Sequence, residues 1–204
     1  MPVLGKSKRE VLMEFRTSEI LQAARTVFAT HGYAAATVDE IAETAGIAKG
    51  TVYLYFSSKQ DLFLAALREG VVQLHADAMK EINSARTTRD RIRAFIHARL
   101  AYCDQNRDFF RIYYTEFSSM QVRSSRAQPE FQDLYDEQAA LLASLLREGI
   151  DSGEVRPLDA AKTALLIYEL TRAAIAQRML GWPEDAPEET TNLLCELIWR
   201  GIGC

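Results

Sequence analysis

With 204 residues, 48% of them hydrophobic and 25% charged, the chain has the composition of an ordinary globular protein, long enough for one large domain or two small ones. The longest apolar stretch, 164–180, is broken by Glu169, Arg172 and Arg178, and the basic start (Lys6, Lys8, Arg9) leads into Glu10, Glu14 and Arg16 instead of an apolar signal core. A transmembrane helix and a secretory leader are therefore not expected, and a cytoplasmic location is.

Cys103, Cys195 and Cys204 are odd in number and lack metal-ligand spacing, which fits a reducing compartment and no metal site. The net charge of −4 speaks against a nonspecific nucleic-acid binder. It is unevenly placed: residues 1–60 hold seven Lys/Arg against six Asp/Glu, and the rest holds 17 against 22. An acidic body with a near-neutral head is compatible with DNA binding by one end.

Apolar residues recur with helical period and no alternating strand stands out, so the fold is read as all-α. The first helix is expected over 17–31, with Ile20, Ala24, Val27 and Phe28 on one face and Gly32 ending it in a left-handed conformation. Thr37 followed three residues later by Glu40 is a capping box that opens a short helix to about Ala45. Gly46 makes the turn, and a third helix covers 49–56. Ser57 to Asp61 then opens a longer helix through Leu62, Ala66 and Leu67 toward Met79. Beyond residues 84–88 aromatics become frequent, and helices are expected over 89–106, 108–117, 130–152, 158–180 and 187–201. Gly153, Pro157, Gly181 and Pro183 punctuate their junctions, and 121–128 reads as a polar loop. The division into domains is placed at 1–60 and 61–204.

A helix-turn-helix requires a small residue where its helices touch, a glycine or similar residue at the turn, and apolar residues that fix the crossing. Ile41, Ala42, Gly46, Ile47 and Val52 supply these. Ala42 permits close approach, and Gly46 accepts a positive φ without steric cost. Lys49, Gly50, Thr51, Tyr53, Leu54 and Tyr55 are left outward or on the flank. Lys49 and Thr51 stand at a helix start, where the dipole and free N–H groups favour phosphate. Gly50 lets backbone approach backbone, and Tyr53 and Tyr55 can hydrogen-bond phosphate while their rings touch sugar or base. Lys59 is expected to touch phosphate only, and Thr37 to touch phosphate while capping its helix. The competing reading is a tight helical hairpin in a core, for which exposed tyrosines between lysines would be odd surface chemistry.

The stretch from Ile20 to Leu67 resembles the DNA-binding domain of the TetR/AcrR family of transcriptional regulators. The resemblance rests on Ala23, Ala24, Phe28, Gly32, Tyr33, Thr37 to Ala42, Ala45 to Ile47, Lys49 to Phe56, Ser58 and Lys59. It implies a dimer on a palindromic operator, a C-terminal helical domain that binds a small molecule, and repression relieved by that ligand. It also implies that Thr37, Lys49, Gly50, Thr51, Tyr53, Tyr55 and Lys59 touch DNA. Ala48 departs from the pattern, since many relatives carry a hydroxyl there.

In the C-terminal part, the last two helices are the dimerisation candidates. Leu158, Ala161, Leu165 and Tyr168 give one an apolar surface, and Leu193, Leu194, Leu197, Ile198 and Ile202 give the other a stripe, enough for a four-helix interface. The alternative is that both stripes are simply core; dimerisation is preferred because a two-fold operator reader needs it and because the family resembled uses its last helices this way. Phe95, Arg99, Tyr102, Phe110, Tyr113, Tyr114, Phe117, Met120, Tyr168 and Arg172 combine aromatics with a few polar groups, the makeup of a ligand pocket, although aromatics at helical spacing are more often core. Glu169 and Arg172 are read first as an ion pair and second as the polar floor of that pocket.

Catalysis would require a convergent nucleophile and base, a metal cluster or a phosphate loop. His31, His75 and His97 are scattered and no such motif occurs, so an enzyme is not expected. An architectural DNA-binding protein would be strongly basic, against the acidic total.

Overall fold

The computed structural model describes residues 7–112, 129–181 and 185–203. In chain order the described helices are α1 (Lys8–Ala35), α2 (Val38–Thr44), α3 (Lys49–Tyr55), α4 (Lys59–Ser84), α5 (Thr88–Gln105), α6 (Arg107–Ile112), α7 (Pro129–Asp151), α8 (Ala160–Met179) and α9 (Pro187–Ile202). The all-helical reading of the sequence holds. No described helix is long and apolar enough to cross a membrane.

α1 starts at Lys8, well before the expected residue 17. A capping box causes this: Glu10 N donates to Ser7 Oγ at 3.2 Å and Ser7 N donates to Glu10 Oε2 at 2.7 Å. The added turns contribute nothing to the core, for Val11, Leu12, Met13 and Phe15 are all exposed. Gly32, at φ 76°, interrupts the helical backbone as expected, and one further turn reaches Ala35.

The chain divides into two compact units, Met1–Gly70 and Val71–Cys204, with the change of unit inside α4. The beginning of α4 supplies core to the first unit: Leu62, Phe63, Ala66 and Leu67 are buried, as are Ile20, Leu21, Ala24, Val27 and Phe28 of α1, Ile41 and Ala42 of α2, and Val52 of α3. Phe28 meets Phe63 edge-on with ring centroids 5.1 Å apart, and Tyr33 lies 5.5 Å from Phe63. Burying each such ring contributes about 1.5–3 kcal/mol.

In the second unit α7 packs on α8 and α5 packs on α9. Ile92, Phe95, Ile96, Leu100, Leu142, Leu145, Leu146, Ala164 and Ile167 form the core. Gly149 lets α7 pass close to its neighbours, since a Cβ there would stand 2.7 Å from Val155 Cγ2 and 2.8 Å from Thr88 Cγ2. Val155 bridges Gly203, and Arg156 N donates to Ile202 O at 2.9 Å. The half-buried Trp199 lies against Gly203, with the Arg89 guanidinium 5.8 Å from its ring centroid.

Two buried arginines mark this unit. Arg178 of α8 donates to Asp104 Oδ1 of α5 at 2.9 Å and to Thr190 Oγ1 of α9 at 3.4 Å, and Arg107 Nη2 donates to the Arg178 carbonyl. Arg99 of α5 has a different environment, described below. The helix expected over 108–117 is seen as α6 to Ile112. Tyr113, Tyr114, Phe117, Met120 and the loop 121–128 lie outside the described residues.

Candidate functional site

The first unit presents a helix-turn-helix. At the start of α2, Thr37 Oγ1 accepts from Glu40 N at 3.2 Å, while Glu40 Oε2 accepts from Thr37 N at 2.8 Å and from the Thr37 hydroxyl at 2.9 Å. Donation from the Thr37 backbone and then its hydroxyl holds the Glu40 carboxyl below the usual range. The hydroxyl proton of Thr37 is thus directed at Glu40, so in the free protein Thr37 caps α2 and offers no spare donor to a phosphate.

α2 ends in a Schellman motif. Ile47 N donates to Ala42 O at 2.9 Å and Gly46 N to Glu43 O at 3.0 Å, with Gly46 at φ 66° in the left-handed region. This closure redirects the chain into α3. Ala48, the N-cap of α3, makes no side-chain capping bond, consistent with its missing hydroxyl.

α3 is anchored on one side by Val52, which is 1% exposed. On the other side Tyr53 is 48% and Leu54 83% exposed, while Thr51 and Tyr55 are half-buried. Leu54 is the most exposed large hydrophobic residue among those described. A Cβ on Gly50 would meet nothing within 4 Å, so the surface at the start of α3 is open to a close-fitting partner.

The two lysines have partners that the sequence did not reveal. Lys49 Nζ donates to Asp39 Oδ2 at 2.7 Å across the turn, and this hydrogen bond raises the Lys49 pKa. Lys59 Nζ donates to the carbonyls of Tyr33 at 2.7 Å, Ala36 at 3.1 Å and Ala34 at 3.3 Å, and lies 4.6 Å from the centroid of the Tyr33 ring. Its three protons are directed at the carbonyls near the end of α1. Beside the expected phosphate contact, an ammonium so placed ties α4 to α1.

In the second unit the structure brings together part of the expected pocket set. Phe95, Arg99, Phe110 and Tyr168 are buried and Tyr102 is half-buried. Tyr102 and Phe110 meet edge-on at 5.9 Å. Arg99 lies 4.7 Å from the Tyr168 ring centroid and 5.4 Å from that of Phe95. It donates to Gln138 Oε1 and, at 3.4 Å, to the Tyr168 hydroxyl. Gln138 and Tyr135, both on α7, were not singled out from the sequence, because only tertiary packing sets them beside α5 and α8. Tyr135 stands edge-on to Tyr168 at 4.8 Å, and burial, then Glu169, pushes its pKa up. Arg172 is paired with Glu169 at 3.0 Å on a half-exposed part of α8. That is the first of the two readings given for this pair.

The apolar stripes of the last two helices are divided. Leu194, Ile198 and Ile202 of α9 face the core, and so do Ala164, Ile167 and Tyr168 of α8. Leu193 and Leu197 of α9 are exposed, as are Leu165, Leu166 and Leu170 of α8.

Comparison with known proteins agrees with this layout. Residues 20–66 match the sequence profile of bacterial regulatory proteins of the tetR family, and residues 85–175 match that of the tetracyclin repressor-like C-terminal domain. The fatty acid metabolism regulator protein of Bacillus subtilis is 26% identical over 200 residues, covering 97% of this chain and 98% of that protein. The transcriptional repressor KstR2 of Mycolicibacterium smegmatis is 27% identical over 189 residues, 92% of this chain and 90% of that protein. The fold is that of the regulator FadR from Bacillus subtilis, solved in complex with stearoyl-CoA: the TM-score is 0.74 at 24% identity, covering 91% of this chain and 98% of that one.

Proposed function

Because the chain belongs to the TetR family of DNA-binding transcriptional regulators, a family of regulators and not of enzymes, we propose that it is a repressor that binds a palindromic operator as a homodimer and is released by a small molecule. The observation that carries this reading is the exposure of Tyr53 and Leu54 beside the open surface at Gly50, on a helix held by Val52. Apolar and aromatic groups presented this way suit the thymine methyls and sugar edges of a major groove, with Lys49, Thr51 and Tyr55 flanking them toward phosphates. Leu166 and Leu170 with Leu193 and Leu197 offer the apolar surface for a second copy. The second unit, with its buried aromatic residues, is the place for the effector. The relatives named for fatty acid metabolism, and the structure solved with stearoyl-CoA, favour an effector with a large apolar body.

The test is selection of bound duplexes from a random pool at near-physiological salt, with Tyr53→Ala as control. Enrichment of one palindrome by the wild type and not by the variant is expected. A folded, dimeric protein that enriches nothing, alone or with added acyl-CoA, would overturn the reading.

A further inference from the structure

Among the described residues, Arg99 is a permanent cation with no anion beside it. Its side chain is in a residue only 8% exposed, and a guanidinium does not lose its proton in a protein. Its contacts are neutral: the Gln138 amide oxygen, the Tyr168 hydroxyl and the faces of Tyr168 and Phe95. Its Nε is buried with no hydrogen-bond partner, as are those of Arg91 and Arg178, so the distinction lies in the missing counter-charge. Among the described residues no carboxylate pairs with it. Cys103, one turn along α5, cannot serve either, because burial pushes its pKa up to about 12 and keeps the thiol neutral.

The other buried arginine shows what a structural arginine looks like here. Arg178 has the Asp104 carboxylate at 2.9 Å and further oxygens from Asp185 and Thr190. A buried charge without a counter-charge is unfavourable, and ring faces and two neutral acceptors offset only part of its lost hydration. A group kept under that penalty in a mainly apolar core calls for a ligand that removes it.

We infer that Arg99 is the head-group site of the effector, and that the effector is an amphipathic anion whose carboxylate or phosphate pairs with the guanidinium while its apolar body lies among the aromatics of α5 and α8. This rests on the proposed effector role of the second unit and specifies its chemistry. Guanidinium matches the geometry of either oxyanion in a two-point contact, and the surrounding tyrosine hydroxyls suit the remaining oxygens. Gln138 is then a positioning residue that holds the guanidinium plane.

The test compares, by titration calorimetry on the full-length protein, straight-chain fatty acids of 8–18 carbons, the acyl-CoA of matching length and the matching 1-alkanols. The acid or the acyl-CoA is expected to bind at least about tenfold more tightly than the alcohol, a difference that a charge-assisted pair supplies. Tighter binding of the free acid identifies a carboxylate as the head group; tighter binding of the CoA ester identifies a phosphate. Arg99→Met should abolish the preference, Arg99→Lys should keep part of it, and Arg99→Met without ligand should melt no lower than the wild type, since it removes an unpaired buried charge.

Equal binding of acid, ester and alcohol would overturn the inference, and so would failure of all three to bind. So would an Arg99→Met protein that folds, melts far lower and keeps the preference. If the alcohol binds equally and still releases operator DNA, ligand-relieved repression survives and only the role of Arg99 falls.

Discussion

Lys49 and Asp39 are joined by a 2.7 Å ion pair that spans the turn between α2 and α3. Both ends are well exposed, so the pair adds little to stability. Its effect falls on binding, because a phosphate must displace or outbid the Asp39 carboxylate to reach the ammonium. Asp39→Asn is therefore expected to raise affinity for operator and for random duplex by severalfold. Lys49→Ala should weaken both and lower the salt slope by about one unit. Filter binding from 50 to 300 mM salt measures both; a weaker Asp39→Asn protein would mean that the carboxylate positions the lysine.

Gly50 offers a separation of folding from binding. Nothing within 4 Å opposes a methyl group there, and alanine in a helix is favoured over glycine by roughly 0.5–1 kcal/mol. Gly50→Ala is thus expected to resist urea better than the wild type while losing operator affinity tenfold or more through a clash with the DNA backbone. Undiminished operator binding would remove Gly50 from the interface.

For Lys59 the carbonyls of Tyr33, Ala34 and Ala36 set the expectation. Hydrogen bonds from a charged donor are worth about 1.5–3 kcal/mol, discounted here because the side chain is only half-buried. Lys59→Met should lower the melting temperature as well as DNA affinity. Loss of affinity with unchanged melting would favour the phosphate-only role.

Acid sensitivity follows from the helix caps. The carboxyls of Glu40, Asp61 and Asp159 are all held below their ordinary values, by donors from Thr37, from Ser57 and Ser58, and from Lys162. A carboxyl with a lowered folded pKa contributes stability above its unfolded value, and that contribution is lost as pH falls through the folded one. Stability should therefore be flat near neutrality and decline below about 4.5, the ordinary value for Glu. Glu40→Gln should shallow that decline in urea titrations from pH 6 to 3.

Leu197 is exposed while Leu194 and Ile198 beside it are buried. Leu197→Glu is expected to leave helical content intact and shift the protein to monomer in sedimentation velocity. Persistence of the dimer would place the interface elsewhere.

The sequence revealed what local chemistry decides. Thr37 with Glu40 and the glycine at 46 state a helix start and a turn within ten residues, and both are present. The box at Ser7 and Glu10 is the same signal, but residues 8–16 lack a core-facing stripe, so the early start of α1 went unread. Partners set by packing were out of reach: Asp39 for Lys49, the end of α1 for Lys59, Gln138 for Arg99. The apolar stripe of α9 was visible as a stripe, yet only its seating against α5 separates Leu194 and Ile198 from Leu193 and Leu197.

Trp199, packed on Gly203 and faced by Arg89, has an optical consequence. Both tryptophans of the chain, at 182 and 199, fall after Gly70, and the helix-turn-helix unit carries tyrosine and phenylalanine but no tryptophan. Indole emission excited at the red edge of absorption therefore watches the C-terminal unit by itself, whereas ellipticity sums both. A single denaturant titration read in the two channels distinguishes one cooperative melt from two, without a label or an added dye.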